Sequence, residues 1–282
     1  MLGALSSFSL MAVGARELSG EIVTSQVMVF RSLIGLVVIT AIMLLTGNRH
    51  AFATKRVPLH GARNLFHFAG QYGWLVGISV LPLAEVFALE FTVPLWTALI
   101  AWLFLGERLT KRKLSAIVLG LIGVLVIVKP GMEVFNLYSL VVLGAAFCYA
   151  ISHSATKSLA ATENPLTVLF YMCAVQLPVA VLLTLGEWIM PSAAQWGWLA
   201  IVGGTALTAH FCMTKAMQSA EVSLVVIMDF MRLPAIGIVG MLLYGETIEL
   251  SLFVGALIML LGNLTAMLPS RKPLSANSAS KE

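Results

Sequence analysis

The chain has 282 residues, 59% of them apolar and only 11% charged, with a formal net charge of +4 and a mean hydropathy of +0.96. A soluble domain carries about 25% charged residues, so this sequence has too little polar surface to cover a globule in water. In lipid the demand is reversed, because outward positions must be apolar and backbone groups must pair internally. The cation surplus is then an orientation signal to be read loop by loop, not a nucleic-acid footprint.

A spanning helix needs roughly 20 apolar residues. In chain order the expected spans are about 2–18, 23–46, 60–80, 83–105, 112–129, 137–160, 166–187, 194–215, 221–243 and 249–268. The first is short and rich in Ser and Gly, and with no basic leader before it reads as a span, not as a cleaved signal. Brief turns marked by Gly, Pro or charge separate the others, such as Thr46-Gly47-Asn48, Lys129-Pro130-Gly131 and Asn164-Pro165. The cysteines Cys148, Cys173 and Cys212 all fall in apolar segments and are expected to be buried thiols without a disulfide framework. The tail 270–282 is Ser-, Lys- and Ala-rich and is expected to be a disordered cytoplasmic extension.

The cations alternate between connections. Arg49, Lys55, Arg56 and Arg63 lie around the second, Arg108, Lys111, Arg112 and Lys113 at the fourth, Lys157 near the sixth and Lys215 near the eighth. Arg271, Lys272 and Lys281 follow the tenth span, while the opposite set holds little more than Arg16 and Lys129. The even side is therefore expected to be cytoplasmic, with both termini inside a cell (inner) membrane crossed many times.

Two segments repeat one another. Leu89-Glu90-Phe91-Thr92-Val93-Pro94 leads to Phe104-Leu105-Gly106-Glu107, and Met228-Asp229-Phe230-Met231-Arg232-Leu233-Pro234 leads to Tyr244-Gly245-Glu246. The interval along the chain from Glu90 to Asp229 equals that from Glu107 to Glu246 and that from Gly123 to Gly262. Five spans per half is an odd number, so the second copy enters from the opposite face. The expected fold class is an all-α polytopic membrane protein of ten transmembrane helices in two inverted five-helix repeats, over 1–131 and 132–269. A site near the midplane between the halves goes with that arrangement.

The residues now carry a resemblance. Val29-Phe30-Arg31-Ser32-Leu33, the run Phe104-Leu105-Gly106-Glu107-Arg108-Leu109-Thr110 after Pro94, and the glycine-rich Leu119-Gly120-Leu121-Ile122-Gly123-Val124 before Lys129-Pro130-Gly131 are its signals. Leu233-Pro234 and Tyr244-Gly245-Glu246 repeat the theme. With these, over nearly its whole length, the chain resembles the drug/metabolite transporter superfamily, of the ten-helix EamA type. It departs in its first span, where Ser6, Ser7, Phe8 and Ser9 stand in place of the Trp-Gly common near that position. The resemblance implies a secondary transporter moving a small organic metabolite (amino-acid-like, vitamin-like or nucleotide-related) by alternating access, without an ATPase or a cofactor of its own. Export of toxic organic cations is the alternative.

Charges at bilayer depth cost nominally about 2.5–3.5 kcal/mol each on insertion scales and default to functional candidates. Arg31, Glu90, Asp229 and Arg232 are such charges. Asp229 and Arg232 share a helix face at i, i+3 and can pair. One reading is a polar cavity with two acids and two bases. The other is structural, with Arg31 pinned to Glu90 and Arg232 to Asp229. Asn64, His67, Gln71 and Trp74 follow at spacings of three, four and three, which aligns them along one helix side. His67, Gln71 and Trp74 therefore join the substrate-binding set, with Trp74 able to stack on a flat ring and Tyr72 and Tyr149 as further contributors. His153 and His210 read as structural. Glu107 and Glu246 read as interfacial caps, with pairing to loop cations as the gating alternative. The glycines of the spans read as packing positions, and Pro94 as a kink that frees a carbonyl beside Glu90. If transport is driven by protons, Glu90, Asp229 or His67 would carry them.

An enzyme is disfavoured, since no Gly-x-Ser-x-Gly, His-Glu-x-x-His or Walker-type motif occurs and no metal site is expected. A channel would call for rings of like residues. The partners expected are a small-molecule substrate and the lipid bilayer, with no nucleic acid.

Overall fold

Helices cover all ten apolar segments in the computed structural model, which describes residues 1–106, 108, 110–128, 137–229, 232–247 and 250–267. Glu107, the Lys129-Pro130-Gly131 turn, Phe230, Met231 and the tail 270–282 lie outside the described residues. Eight segments are single helices: α1 (Leu2–Leu18), α2 (Thr24–Leu45), α3 (Val57–Val80), α6 (Lys111–Val128), α7 (Leu137–Ala160), α8 (Pro165–Thr184), α9 (Ala193–Ser219) and α12 (Leu250–Met267). The two segments that carry the repeated acids are each divided, into α4 (Leu83–Glu90) and α5 (Val93–Phe104), and into α10 (Val222–Asp229) and α11 (Arg232–Tyr244).

The division has a local cause. Pro94 has no N–H to donate to the carbonyl four residues earlier, which is that of Glu90. The chain tightens there: Phe91 N–H is shared between the carbonyls of Phe87 (3.2 Å) and Ala88 (3.1 Å), and Thr92 N–H reaches Leu89 at 3.2 Å. Pro94 then occupies the first turn of α5, where a missing donor costs nothing. The kink expected from sequence is thus an interruption, and Glu90 is the last residue of α4. Asp229 is likewise the last residue of α10, and Arg232 the first of α11. Other boundaries follow ordinary capping chemistry. Asn164 accepts from Leu166 N–H at 3.0 Å at the start of α8, and Ser192 and Gln195 form a reciprocal capping box at α9. Gly47 ends α2 with φ at +71°, a conformation glycine adopts without strain.

Thr24–Leu45, Leu83–Phe104, Leu137–Ala160 and Pro165–Thr184 are long and apolar enough to cross a membrane by length and composition. Large apolar side chains such as Leu45, Phe104, Leu182, Leu242 and Phe253 face outward, as lipid contact requires.

Packing follows the pattern that two equivalent halves would produce. α3 packs on α7 and α1 on α9, α5 on α10 and α4 on α11, while α2 pairs with α8 and α6 with α12. The α6–α12 contact shows the exchange at atomic scale. A Cβ at Gly123 would meet Gly255 O at 2.7 Å, and one at Gly262 would meet Ala116 O at 3.3 Å. Gly262 is the repeat counterpart of Gly123, and Gly255 that of Ala116, at the same interval that separates Glu90 from Asp229. These glycines let the backbones touch, as their spacing predicts.

The two ends of the bundle are closed in a matching way. At the distal end, where α1 finishes, Arg16 donates to the carbonyls of Ile78 and of Leu81 (2.9 Å). At the proximal end, where the chain begins, Lys157 donates to Met217 O at 2.7 Å and Ala220 O at 2.6 Å. Met217 and Ala220 are the repeat counterparts of Ile78 and Leu81, again at the interval of the paired acids. Arg16 also pairs with Glu246 at 3.0 Å, whose Oε1 accepts the N–H of Leu83 at 2.9 Å and so caps α4. Glu246 is therefore both the cap and the ion-pair partner that sequence reading set as alternatives. Gly240 makes room for it, since a Cβ there would meet Glu246 Oε2 at 2.5 Å. Proximal ties between Arg56 and Ser158 and between Thr54 and Glu163 complete that closure.

Candidate functional site

Interrupted helices leave polar backbone and side chains at membrane depth, which is tolerated only where protein or a cavity surrounds them. Here the two interruptions meet. Arg232 at the start of α11 bonds Glu90 Oε1 at 2.6 Å and Asp229 Oδ2 at 3.1 Å. Its guanidinium lies 4.9 Å from the ring centres of both Phe8 and Phe87, within cation–π range. Glu90 Oε2 accepts the indole N–H of Trp74 at 2.9 Å. Asp229 Oδ1 is buried and has no partner among the described residues.

This triad faces a small central cavity of about 20 Å³, room for about one water. Gln71, Trp74, Tyr149, His153 and His210 line it with the triad. Tyr149 stacks on His153 with ring centres 6.0 Å apart, and Phe8 meets His210 edge-on at 5.2 Å. His153 and His210, read as structural from sequence, thus both border the cavity. Tyr72 does not: it stacks on Phe68 at 6.3 Å.

A second polar cluster lies behind the cavity between α2, α3, α7 and α8. In the structural alternative read from sequence, Arg31 is pinned to Glu90. It instead donates to Gln176 Oε1 at 3.0 Å, because Glu90 is engaged by Arg232 and Trp74. Gln176 Nε2 lies 2.8 Å from His67 Nδ1 and 3.3 Å from Asn64 O. His67 in turn meets His210 edge-on at 4.6 Å and Tyr149 at 5.7 Å. Arg63, counted from sequence among the loop cations, is buried inside α3 and bonds Asn64 Oδ1 at 2.6 Å and Thr156 Oγ1 at 3.0 Å. The polar stripe of α3 is thereby split, with Gln71 and Trp74 on the cavity and Asn64 and His67 on the cluster behind it.

Of the seven residues predicted to bind substrate, Gln71, Trp74, Glu90, Asp229 and Arg232 border the cavity, and His67 and Arg31 belong to the second cluster. Sequence reading missed Gln176 and Arg63. Gln176 is a lone amide in an apolar span, a signal of the same kind as Gln71. At the distal end a recess of about 280 Å³ opens between α1, α2 and α3, with Glu21, Thr24, Leu75 and Ser79 on its wall. Leu75 on the recess and Trp74 on the cavity are consecutive residues of α3.

Interrupted helices meeting at paired charges inside an apolar bundle are the architecture of an integral membrane protein with a polar site between its helices. The sequence profile of the EamA-like transporter family matches residues 1–129 and again 136–268, and the chain belongs to that family. Its relatives are transporters, not enzymes. The riboflavin transporter of Vibrio cholerae is 31% identical over 81% of this chain and 77% of that protein. An S-adenosylmethionine uptake transporter of Rickettsia prowazekii is 24% identical over 98% and 94%, and the pseudopaline exporter CntI of Pseudomonas aeruginosa 27% over 80% and 81%. A protein crystal structure superposes with a TM-score of 0.74 at 18% identity, covering 94% of each chain, a likeness of fold.

Proposed function

We propose that this chain is a secondary transporter that carries a small polar organic metabolite with a heteroaromatic part by alternating access, and that Glu90, Asp229 and Arg232 form the centre of its substrate site. The observation that carries this reading is the Arg232 ion pair with both acids, each acid placed at the interruption of a span. Trp74 and Tyr149 supply flat apolar faces beside it. A cavity of about 20 Å³ holds no metabolite, which fits a closed state between two open ones. Opening would break the Arg16 closure at one end or the Lys157 closure at the other. Riboflavin and S-adenosylmethionine, named for two relatives, both fit this substrate class.

The membrane arrangement that accompanies the reading is ten spans in two inverted halves, 1–131 and 132–269, with both termini cytoplasmic in a bacterial inner membrane. The proximal connections carry Arg49, Lys55, Arg56, Arg108, Lys111, Arg112 and Lys113, which supports the orientation. Protons are the proposed coupling ion, with Glu90, Asp229 or His67 as carriers. Export of a purely cationic drug is less well supported, because Arg31, Arg63 and Arg232 are all buried in the same interior.

Purified protein is screened by thermal shift against flavins, S-adenosylmethionine, amino acids and organic cations, and hits are followed as flux into proteoliposomes. A ligand that binds the folded state raises its melting temperature. Stabilisation and flux by one heteroaromatic metabolite, both lost in Glu90→Gln and Asp229→Asn, is the expected result. Unchanged flux in both variants would remove the acids from the mechanism, and equal flux with and without an imposed pH gradient would remove the proton.

A further inference from the structure

The buried interior divides its charges unequally. Two carboxylates answer the guanidinium of Arg232, whereas Arg31 and Arg63, each 2% exposed, have no carboxylate at ion-pair distance among the described residues. Hydrogen bonding is equally one-sided there. Arg31 Nε and Nη2 and Asn64 Nδ2 are buried donors with no partner among the described residues. The neighbouring acceptors are already used: Gln176 Oε1 by Arg31 and Asn64 Oδ1 by Arg63. Burying a guanidinium without counter-charge is strongly unfavourable, and an unsatisfied buried donor adds to the cost. Pinning helices together would call for neither.

We propose that Arg31 and Arg63, linked through Gln176 and Asn64, form a subsite for an anionic group, a carboxylate or a phosphate, carried by the substrate. The inference rests on the central cavity being the transport site. The link to that cavity is His67, bonded to Gln176 at 2.8 Å on one side and edge-on to the cavity residue His210 at 4.6 Å on the other. Gln71, one turn along α3, adds an unpartnered buried Nε2 donor on the cavity side. A substrate lying with its ring against Trp74 and Tyr149 would direct its anionic end past His67 to the guanidiniums. There it would accept the charge-assisted bonds that Arg31 Nε and Nη2 now lack.

The test uses the full chain in lipid nanodiscs at constant pH and ionic strength, with chloride as the balancing ion. The probes are inorganic phosphate, acetate, and the pair phenylacetate and phenylacetamide, which differ in the anionic group. Wild type is expected to bind phenylacetate or phosphate and to bind phenylacetamide at least ~10-fold more weakly. Arg31→Gln and Arg63→Gln should each lower the anion affinity at least ~10-fold, and Arg49→Gln, exposed on a proximal connection, should leave it unchanged. Should Arg31→Gln not fold, Arg31→Lys keeps the charge without the planar fork and should weaken binding several-fold. Binding of phosphate or acetate alone assigns the subsite to a free anion. Binding of phenylacetate alone assigns it to a group on an organic substrate. No anion response in wild type, equal affinity for acid and amide, or unchanged affinity in the arginine variants overturns the subsite. Anion binding without flux of any metabolite would sink the transport reading and leave the subsite standing. Flux indifferent to the anionic group would do the reverse.

Discussion

The two buried charge clusters differ in completeness. At the helix interruptions, Arg232 is answered by Glu90 and Asp229 and covered by Phe8 and Phe87, so here the positive charge is matched within the protein with one carboxylate to spare. Behind the cavity, Arg31 and Arg63 are held by amides and a hydroxyl, and their charge is left over. A cluster whose cation is paired within the protein can hold helices together, whereas a cluster with surplus donors is finished only by something that arrives. The contrast separates charges that are already paired inside the protein from guanidiniums that, in the proposed subsite, meet an arriving anion.

The comparison is broken most directly at Arg232. Arg232→Met leaves two buried acids facing each other and should cost about 3–5 kcal/mol of stability, read as a fall in melting temperature, with flux abolished. Glu90→Gln and Asp229→Asn added to that variant should restore much of the stability and none of the flux. Recovered flux would show that the charges serve the fold alone. Next in size is Gly123→Leu on the α6–α12 contact. Its side chain would meet Met259 and the backbone of Gly255, so a loss of about 1–3 kcal/mol is expected. A neutral outcome would mean that the two helices separate easily.

The end closures give a smaller, directional effect. Arg16→Gln removes one ion pair and weakens two carbonyl contacts, and Lys157→Gln weakens the matching pair, each about 1–3 kcal/mol. Cysteine reporters in the cavity should become accessible from the distal end in the first variant and from the proximal end in the second. The same change in both would dissolve the equivalence of the two closures. Smallest is Trp74→Phe, which keeps the apolar face but deletes the 2.9 Å bond to Glu90, a loss of about 0.5–1.5 kcal/mol. Trp74→Ala should in addition raise the apparent KM by removing the stacking face, and unchanged kinetics would remove Trp74 from the site.

Positions of the helices were legible in the sequence because hydropathy acts locally: α1 and α7 begin and end within a residue of the expected bounds. The duplication was legible as well, since the interval between Glu90 and Asp229 recurs between the carbonyls held by Arg16 and those held by Lys157. Pairing was less so. The i, i+3 spacing of Asp229 and Arg232 reveals their contact, since both sit on one stretch of chain. The choice of Gln176 by Arg31 and of Arg232 by Glu90 depends on how α2, α8, α4 and α11 approach one another.

What the sequence by itself determined is therefore the membrane setting, the approximate positions of the helices, and the recurrence of one pattern along the chain, because each depends on composition or spacing along one chain. Only the tertiary structure decided which polar residues neutralise one another and which are left with unmet donors. Partner choice is a competition in three dimensions: Glu90 lay within reach of Trp74 and Arg232, and Arg31 was left with the amide of Gln176.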